Sequence, residues 1–450
     1  MASTYLSRTP ASVGNRKTWT LSTWVKRSGL GARQYITRQI SGSNYLDFQF
    51  ESNDTIQIFS YNGSVLLQLD TNRVFRDTSA WYHLLIECDT TQAISSDRCK
   101  FYVNGIQETS FSTATYPSQN TDLQFNNTNP YLIGTATSTL YFNGSMAHYH
   151  FIDGTAYDAS TFGETDATTG IWKPKTAPSV TYGTNGFFLK FENSGSLGTD
   201  SSGNGNNFTV GGGTPTQTVD TPSNVFSTWN FLVPTGGGFT SNGSTFENGN
   251  TKFITNNSAS NYGTTYSTLG MSKGKYYMEV LYTSSSNQAL IGIVGGVSTS
   301  TANVIGGNTQ SYGLYIDGRY NYNNSLTSYG TSWTSGDYIG VFLDLDNNKL
   351  YFSKNGTIMN SGVGISINSA SSTELGVYRF AVSEWNSSGN GTFSANFGNG
   401  YFGTTAVSSA NSDVNGLGIF EYNPSSGTFD GSSKNFLALC TKNINAQEYS

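Results

Sequence analysis

The sequence predicts an all-β protein in which two antiparallel β-sandwich domains of the jelly-roll type stand in tandem, followed by a short C-terminal tail. Aromatic residues make up 14% of the 450-residue chain, and such side chains fit half-buried pleated surfaces. Short apolar runs alternate with turns rich in glycine and asparagine, which is typical of antiparallel sandwiches. No long segment repeats apolar residues at the three-to-four spacing of a helix.

The first sandwich is predicted for residues 1–212, and a linker is predicted for residues 213–252. The linker prediction rests on the Gly, Pro, Ser and Thr residues that fill this stretch, because such residues are typical of loops. Strands of the first domain are expected in the segments TWTLSTWVKRS, YLDFQFES, TIQIFSYNGSVLLQL, WYHLLIECD, CKFYVNGIQ, YLIGTA, MAHYHFIDG and FFLKFEN.

The second sandwich is predicted for residues 253–400, and residues 401–450 are expected to form a loop-like tail. Strands of this domain are expected in the segments KYYMEVLY, ALIGIVGGV, SYGLYIDG, YIGVFLDLD, KLYFSKNG and GTFSANFG. Their spacing, with turns between them, has the same texture as the first domain and predicts the same class of fold.

Two aspartates, Asp344 and Asp346, lie in the apolar segment LDLDNNKLYF. A two-residue turn at Asn347 and Asn348 is expected, because asparagine tolerates the positive φ of such turns. That turn places Asp344 opposite Tyr351, and alternation directs both toward solvent while the leucines face the core. The aspartates are therefore interpreted as the polar side of an amphipathic hairpin.

Two of the three cysteines are predicted to face each other. Symmetric pairing of the strands around the loop near residue 93 places Cys88 opposite Cys99 and Ile86 opposite Phe101. Such a pair lies within possible disulfide reach, whereas synthesis in a cytoplasm favours reduced thiols. The sequence therefore leaves two alternatives for Cys88 and Cys99, a disulfide and a pair of buried thiols.

Charge and targeting signals limit the partners. The formal net charge is −6, from 23 Lys and Arg against 29 Asp and Glu, and no basic cluster is present, so no nucleic-acid partner is predicted. No run of 18 apolar residues predicts a membrane span. The first residues lack the basic and apolar regions of a signal peptide, which predicts synthesis in the cytoplasm.

The first block resembles concanavalin A-like domains of the laminin-G type. The resemblance runs from Trp19 to Tyr157 in the segments TWTLSTWVK, WYHLLIECDTT, KFYVNGIQ, YLIG and FNGSMAHYHFIDGTAYD. Met146 and Ala147 stand where the family has an acidic residue. The calcium and ligand sites of the family are therefore not carried over to this chain.

The second block resembles SPRY domains. The resemblance runs from Lys275 to Gly398 in the segments GKYYMEV, IGIV, SYGLYIDG, GDYIGVFLDLDNNKLYFSKNG and SANFG, with Tyr312 where the family often has Trp. It implies a bent β-sandwich that binds protein partners through its loops. SPRY domains are not enzymes as a class, so the resemblance also implies a non-enzymatic protein.

The tandem arrangement resembles virion proteins of marine tailed bacteriophages. The tail motif F-x-A-L-x-T-K-N, from Phe436 to Asn443, and the segments STYLSRTP, GNRKTWT, FGETDATTG and DSSGNGN add to this resemblance. It implies an oligomeric adhesin on the virion surface, in a tail fibre or a capsid appendage, that contacts host surface glycans or another virion protein. A purely architectural capsid decoration protein is the alternative.

A glycan-degrading enzyme is the alternative from another class. Glycosidases need two carboxyl groups roughly 5–10 Å apart. Glu87 and Asp89 in IECDTTQ lack a third acid, and with Cys88 directed inward Glu87 faces outward without a partner. Asp47 and Glu51 in DFQFE are too far apart in the pattern. No enzyme is therefore predicted.

Two weak metal candidates are present, and no other cofactor is predicted. In DSSGNG, the residues Asp200, Ser202 and Asn204 are spaced like the start of a calcium loop, although Gly211 stands where the closing Glu belongs. An Asx-type turn is the alternative. His148 and His150 share one face of a strand, where they either chelate a metal or have a surface or packing role.

The predicted contact surface is the tyrosine-rich stretch SYGLYIDGRYNYNNSLTSYG. Tyrosine supplies rigid amphipathic contact area, and polar side chains lie between the rings. The alternative is that these tyrosines are core and edge residues of a strand. The candidate contact residues are Tyr312, Tyr315, Asp317, Arg319, Tyr320, Tyr322 and Asn323.

Overall fold

The structure is a computed structural model that describes residues 3–137, 140–233, 243–256, 262–284, 288–296, 304–385 and 390–448. The chain divides into two compact units, residues 1–217 and 218–450. Both units consist of β-sheets, and the described residues contain one α-helix. The predicted all-β class is confirmed.

The first unit consists of an eight-stranded and a six-stranded antiparallel sheet and a small hairpin. Its strands are β1 (Tyr5–Arg8), β2 (Thr18–Arg27), β3 (Gln34–Ser41), β4 (Asn44–Phe50), β5 (Ile56–Tyr61), β6 (Val65–Thr71), β7 (Tyr82–Asp89), β8 (Cys99–Val103), β9 (Ile106–Glu108), β10 (Phe111–Thr115), β11 (Tyr131–Ile133), β12 (Gly144–Asp153), β13 (Gly163–Thr165), β14 (Trp172–Pro174), β15 (Phe187–Leu189) and β16 (Thr209–Gly211). The sheet orders are β10-β6-β5-β4-β3-β11-β1-β16, β15-β12-β2-β7-β8-β9 and β13-β14. Short 3₁₀ turns cover Ser95–Asp97 and Ala159–Thr161.

The core of the first unit lies between its two large sheets. In β5, buried Ile56 and Ile58 alternate with half-buried Gln57 and Phe59, as one covered face requires. Phe48 of the eight-stranded sheet meets Phe101 of the six-stranded sheet edge to face, with ring centroids 5.9 Å apart. The two sheets therefore share one apolar interior.

The predicted pairing of β7 with β8 is confirmed. Cys88 lies opposite Cys99, and Ile86 lies opposite Phe101. Both cysteines are buried and free, so the structure has the pair of buried thiols. Burial raises the pKa of Cys99 to about 12, which keeps its thiol protonated at neutral pH.

The second unit also has two large sheets. Its strands are β17 (Thr245–Glu247), β18 (Lys252–Ile254), β19 (Tyr262–Tyr266), β20 (Lys275–Thr283), β21 (Ala289–Val294), β22 (Ser311–Tyr315), β23 (Arg319–Tyr322), β24 (Ser325–Ser328), β25 (Tyr338–Asp344), β26 (Lys349–Lys354), β27 (Thr357–Ile358), β28 (Ile365–Ser366), β29 (Arg379–Trp385), β30 (Thr392–Asn396), β31 (Tyr401–Phe402), β32 (Thr405–Ala406) and β33 (Leu437–Ala438).

The larger sheet of this unit has the order β17-β18-β30-β20-β25-β26-β27, with β28 paired to β26 and β33 paired to β20. The smaller one has the order β19-β29-β21-β22-β23-β24, and β31 pairs with β32. Short 3₁₀ turns cover Met359–Gly362 and Ala370–Ser372, and α1 covers Thr441–Glu448. Within the described residues no helix has the length and apolar character that crossing a bilayer requires.

The linker predicted for residues 213–252 is not a separate segment, and the boundary lies at Gln217 and Thr218. Trp229 is fully buried in the core of the second unit, with its ring 5.0 Å from that of Phe397. β17 and the start of β18 also fall inside the predicted linker. The prediction was wrong because it relied on the Gly, Pro, Ser and Thr content of the segment. The few apolar residues between them, such as Trp229, belong to the core of the second unit.

The tail predicted for residues 401–450 is mostly turns and irregular chain outside three short strands and α1, and it covers the outer face of the larger sheet of the second unit. β33 pairs in parallel with β20, and the rings of Phe420, Phe429 and Phe436 pack against Tyr277, Phe342 and Tyr351. Strands β20, β25 and β26 are thus buried on both faces, which explains their nearly continuous apolar sequences.

The predicted hairpin has a different turn and a different outer environment. Asp344 pairs with Lys349 and Leu343 with Leu350, so the turn has four residues rather than two. Because this pairing differs from the predicted one by two residues, each side chain keeps its face, and the leucines do lie in the core. Asp344 and Tyr351, predicted to face solvent, are fully buried under the tail.

Candidate functional site

The tyrosine-rich stretch forms β22, β23 and β24, and two of its tyrosines are packing residues. Tyr312 is only 2% exposed, and its ring stacks on that of Tyr322 with centroids 4.5 Å apart. The backbone N–H of Asn368 donates to the Tyr312 hydroxyl oxygen (3.0 Å), and the Asn368 side-chain amide donates to the Tyr322 hydroxyl oxygen (3.3 Å). These two rings therefore tie the strands to the loop at residue 368.

The other candidate residues of this stretch lie nearer the surface. Tyr315 and Tyr320 are half-buried, and Asn323 is exposed in a turn with φ of 50°. Arg319 Nε donates to Asp317 Oδ2 at 2.7 Å, and both side chains are largely exposed. The structure thus divides the predicted set into packing residues and residues nearer the surface, and the contact role of the latter stays a prediction.

The calcium candidate is a loop whose polar atoms bond to one another. Asp200 Oδ1 accepts from the backbone N–H groups of Phe188 (2.9 Å) and Ser202 (2.8 Å). Asp200 Oδ2 accepts from Ser202 Oγ (2.9 Å) and from the backbone N–H of Asn206 (2.8 Å). The Asn204 side-chain amide donates to two backbone carbonyl groups. This arrangement agrees with the alternative interpretation of the loop as an Asx-type turn.

The two acids considered for a glycosidase site, Glu87 and Asp89, are engaged in local contacts. Glu87 Oε2 accepts from the hydroxyl of Tyr102 at 2.7 Å, and Lys100 Nζ lies 3.4 Å from Glu87 Oε1. Asp89 accepts from Thr91 and Gln92 within its own turn. The described residues contain no group of three or more His, Cys, Asp or Glu that could hold a metal ion.

The predicted pair of histidines takes part in packing. The rings of His148 and His150 lie 6.3 Å apart. His150 is 2% exposed and stacks on Phe188 with centroids 3.8 Å apart. Its Nδ1 lies 2.9 Å from the hydroxyl of Tyr182. Of the two alternatives for these histidines, the structure therefore supports packing.

A surface that the sequence did not predict as a site lies on the outer face of the eight-stranded sheet. Polar and aromatic side chains stand opposite one another on successive strands, in the direction from β3 to β10. One row consists of Arg38, Asp47, Phe59, Gln68 and Thr115. The neighbouring row consists of Tyr35, Gln49, Gln57, Asp70 and Thr113. We call these two rows, with Tyr45 and Tyr61, the polar face.

Three rings form one aromatic cluster on the polar face. Tyr45 lies 5.9 Å from Phe59 and 5.8 Å from Tyr61, measured between ring centroids. Phe59 and Tyr61 lie 6.3 Å apart with nearly parallel planes, at 11°. All three side chains are half-buried, so each ring keeps accessible area. Such a cluster offers a flat apolar platform with hydroxyl groups at its edge.

A ladder of side-chain hydrogen bonds runs beside these rings. Gln49 Nε2 donates to Gln57 Oε1 (2.9 Å), and Gln57 Nε2 donates to Asp70 Oδ1 (2.8 Å). Gln68 Nε2 donates to Asp70 Oδ2 (2.7 Å). An ionised carboxylate only accepts hydrogen bonds, so Asp70 fixes the orientation of each amide in the ladder.

Two ion pairs lie on the polar face beside the rings. Arg38 Nε lies 3.0 Å from Asp47 Oδ1, and the Arg38 guanidinium lies 4.7 Å from the ring centre of Tyr45. Arg33 pairs with Glu51 at 2.9 Å. Burial raises the pKa of Asp47 to about 7, although Arg38 and Arg33 oppose the shift. These contacts hold the polar side chains in fixed positions.

One signal for the polar face is present in the sequence. The strand segments YLDFQF, IQIFSY and LLQLD place aromatic or amide side chains at the positions that alternate with the core residues. Two-residue alternation predicts that those side chains share one face. It does not predict which strands become neighbours. The order β10-β6-β5-β4-β3 is known only from the folded sheet.

Family comparisons identify a domain in each unit. Residues 2–160 match the Laminin_G_3 family, described as the concanavalin A-like lectin/glucanases superfamily. Residues 275–396 match the SPRY domain. The domain types expected from the sequence are thereby confirmed.

Comparisons with individual proteins give partial matches. The ATP-dependent RNA helicase DDX1 of Xenopus laevis is 40% identical over 91 residues, and this match covers 20% of this chain and 12% of the helicase. The human HERC1 SPRY domain shares 14% identity, covers 34% of this chain and 91% of its own, and has a TM-score of 0.28. A heptameric SAP-like pentraxin from Limulus polyphemus shares 12% identity, covers 34% of this chain and 71% of its own, and has a TM-score of 0.26.

The fold and the family matches together define the class of this protein. It is a β-sandwich protein of two units that contains a concanavalin A-like domain and a SPRY domain. A lectin-like domain joined to a SPRY domain indicates a binding role.

Proposed function

We propose that this chain is a surface adhesin of a virion and that it binds host surface glycans through the polar face. The observation that carries the proposal is the aromatic cluster of Tyr45, Phe59 and Tyr61 beside the hydrogen-bond ladder that ends at Asp70. Binding sites combine apolar and aromatic walls with a few precisely placed polar groups. A sugar ring offers both an apolar face for stacking and hydroxyl groups for hydrogen bonds.

The virion part of the proposal is supported by the resemblance of the tandem arrangement and the tail motif to phage virion proteins. In this proposal the SPRY domain contacts another virion protein, through surface residues that include Tyr315, Asp317, Arg319, Tyr320 and Asn323. Several copies of the chain on one particle would strengthen attachment, because linked weak contacts act together. Homo-oligomerisation and a location on the virion surface are parts of the same proposal.

Glycan retention by the purified chain tests the proposal. We expect binding to host surface polysaccharide, and at least about tenfold weaker binding for the double variant Phe59→Ala, Tyr61→Ala, because each ring contributes about 1 kcal/mol through stacking. Tyr320→Ala is the matched control, since it removes a half-buried ring of the tyrosine-rich stretch. If only Tyr320→Ala weakened binding, the glycan would contact the second unit instead.

Two outcomes would favour the alternative functions. A chain that binds neither host cells nor host polysaccharide at any concentration would be an architectural decoration protein. Release of new reducing ends from the polysaccharide would support a glycan-degrading enzyme, and Glu87→Gln would then test the acid that the sequence singled out.

A further inference from the structure

The polar face has side-chain oxygens that can accept further hydrogen bonds. Gln49 Nε2 donates both to Glu51 and to Gln57, which uses both of its hydrogens. Gln57 and Gln68 each direct one hydrogen to Asp70. The oxygens of Gln57, Gln68 and Asp70 retain free lone pairs, because each of these oxygens accepts at most one of the bonds described. A ligand at this surface can therefore donate hydrogen bonds to these oxygens.

The charges of the polar face leave one carboxylate without a cation. Asp47 is paired with Arg38, and Glu51 is paired with Arg33. Asp70 makes no ion pair within the described residues, and its side-chain partners are two neutral amides. Neither of these amides carries a positive charge that would cancel that of the carboxylate. The polar face thus carries a net negative charge at the ladder.

Asp70 lies close to the aromatic cluster. Phe59 stands opposite Gln68, and Asp70 is the next outward-facing residue on the same strand. Opposite side chains on a sheet are about 5 Å apart, and diagonal neighbours are about 7–8 Å apart. A sugar ring stacked on Phe59 therefore places its edge groups over Gln68 and Asp70. Hydroxyl groups at that edge would find acceptors, whereas a sulfate or carboxylate would meet a like charge.

We propose that the polar face selects neutral, hydroxyl-rich glycans against acidic ones, and that Asp70 is the specificity-determining residue. This inference rests on the proposed glycan-binding function. Neutral glycans donate hydrogen bonds to the free oxygens of Gln57, Gln68 and Asp70 while stacking on the rings. Acidic glycans lose those donors and are repelled by the unpaired carboxylate.

Affinity measurements on matched oligosaccharides test the inference. The probes are a neutral oligosaccharide and its sulfated derivative of the same length, measured with the full chain at low and at high salt. We expect the neutral probe to bind at least about tenfold more tightly than the sulfated one, and this ratio to fall as salt screens the carboxylate. Equal or tighter binding of the sulfated probe would overturn the inference.

Two substitutions assign the selectivity to Asp70. Asp70→Asn removes the charge, so the ratio of affinities should drop by about tenfold. Thr115→Lys adds a cation at an exposed position opposite Gln68, outside the ladder, and should lower the ratio in the same direction. Thr115→Gln separates the added charge from the added bulk and should lower the ratio less than Thr115→Lys does. Asp317→Asn is the control and should leave the ratio unchanged.

The outcomes separate this inference from the proposed function. Binding of the sulfated probe that is lost in the Phe59→Ala, Tyr61→Ala variant would keep the glycan-binding function and overturn the selectivity. An unchanged ratio in both Asp70→Asn and Thr115→Lys would overturn the role of Asp70. Absence of binding to every probe would overturn the proposed function and the inference together.

Discussion

The role of Asp344 depends on partners that are distant from it in the sequence. Its carboxylate is fully buried, and Lys434 Nζ donates to Asp344 Oδ2 at 2.8 Å. Asn347 donates to the same carboxylate from its backbone and from its side chain. The lysine comes from a distant part of the chain, so the hairpin sequence contains no sign of this partner.

Removing the cation from this buried pair is expected to destabilise the second unit. Lys434→Met leaves Asp344 buried without its nearest charge, and breaking such a pair costs about 3–5 kcal/mol. Urea unfolding of the natural chain and the variant measures the loss. Lys442→Met is the control, because Lys442 belongs to α1, away from this pair, and its substitution should stay within about 0.5 kcal/mol. Equal stability of both variants would contradict the role of the pair.

The three histidines of the chain show the same dependence on surroundings. Trp172 Nε1 donates to His83 Nδ1 at 3.0 Å, and His83 Nε2 lies 2.8 Å from Ser22 Oγ. A ring nitrogen that accepts a hydrogen bond carries no proton, so His83 is neutral with its hydrogen on Nε2. Burial lowers the pKa of His83 to about 3 and lowers the pKa of His150 well below its usual value. The pKa of His148 is lowered as well, by burial and by Lys190.

These lowered pKa values predict a loss of stability in acid. Unfolded histidine has a pKa of about 6.5, so below that pH the unfolded chain binds more protons than the folded one. The stabilisation is complete above pH ~6.5 and is lost as the pH falls, at about 1.4 kcal/mol per pH unit for each histidine that is still neutral in the folded chain. Urea unfolding at pH 7, 6 and 5 measures this slope.

His83→Gln isolates the contribution of one histidine. Between pH 6 and pH 5 the variant should lose about 1.4 kcal/mol less than the natural chain, because one proton uptake on unfolding is removed. The comparison of slopes cancels the contributions of carboxylates such as Asp47, whose raised pKa acts in the opposite direction. Identical slopes for the two proteins would contradict a neutral, buried His83.

At the scale of elements, the tail acts as a third layer on the larger sheet of the second unit. Phe436 is fully buried, and its ring centroid lies 5.1 Å from that of Phe342 and 4.9 Å from that of Phe429. Asp413 Oδ2 accepts from the backbone N–H of Ala438 (2.9 Å), which fixes β33 beside β20. The tail therefore belongs to the folded core of this unit.

A substitution in this layer is expected to behave as a core substitution. Phe436→Ala should destabilise the second unit by about 3–5 kcal/mol, because a large buried ring is lost and a cavity is left. Val414→Ala is the control, since Val414 is 54% exposed and should change stability by less than about 0.5 kcal/mol. A small effect of Phe436→Ala in chemical unfolding would show that the tail is dispensable.

Local sequence patterns predict the register of one strand pair correctly and that of another incorrectly. The register of β7 and β8 follows from symmetric alternation, and the structure confirms it. The hairpin of β25 and β26 was assigned a two-residue turn because two asparagines adjoin, but only Asn348 adopts a positive φ, of 54°. Asn347 instead donates its side-chain amide to Asp344. Each side chain still points to the predicted side of the sheet, because a register shift of two residues preserves alternation.

At the scale of the whole molecule, each unit has its own core. Leu21, Phe48 and Phe101 belong to the core of the first unit, and Trp229 and Phe393 belong to that of the second. A unit with a complete core should fold alone. The position of the boundary therefore has a measurable consequence.

Fragments cut at two boundaries test the division of the chain. Residues 218–450 alone should unfold cooperatively in urea, because they keep Trp229 and both β17 and β18. Residues 253–450, cut at the boundary that the sequence predicts, should unfold at lower urea concentration or lack a cooperative transition, since they lack Trp229 and β17. Equal stability of the two fragments would contradict the boundary at residues 217 and 218.

The fold class, the two domain types, the pairing of Cys88 with Cys99 and the alternation of the strand faces were all predictable from the amino-acid sequence. These features depend on alternation and on short motifs, and a strand carries that information locally. Which faces are covered and which strands become neighbours depends on how the folded chain packs. Burial of Asp344 under the tail and the assembly of Phe59, Gln57 and Asp70 into one surface arise from contacts between distant segments, which no local pattern records.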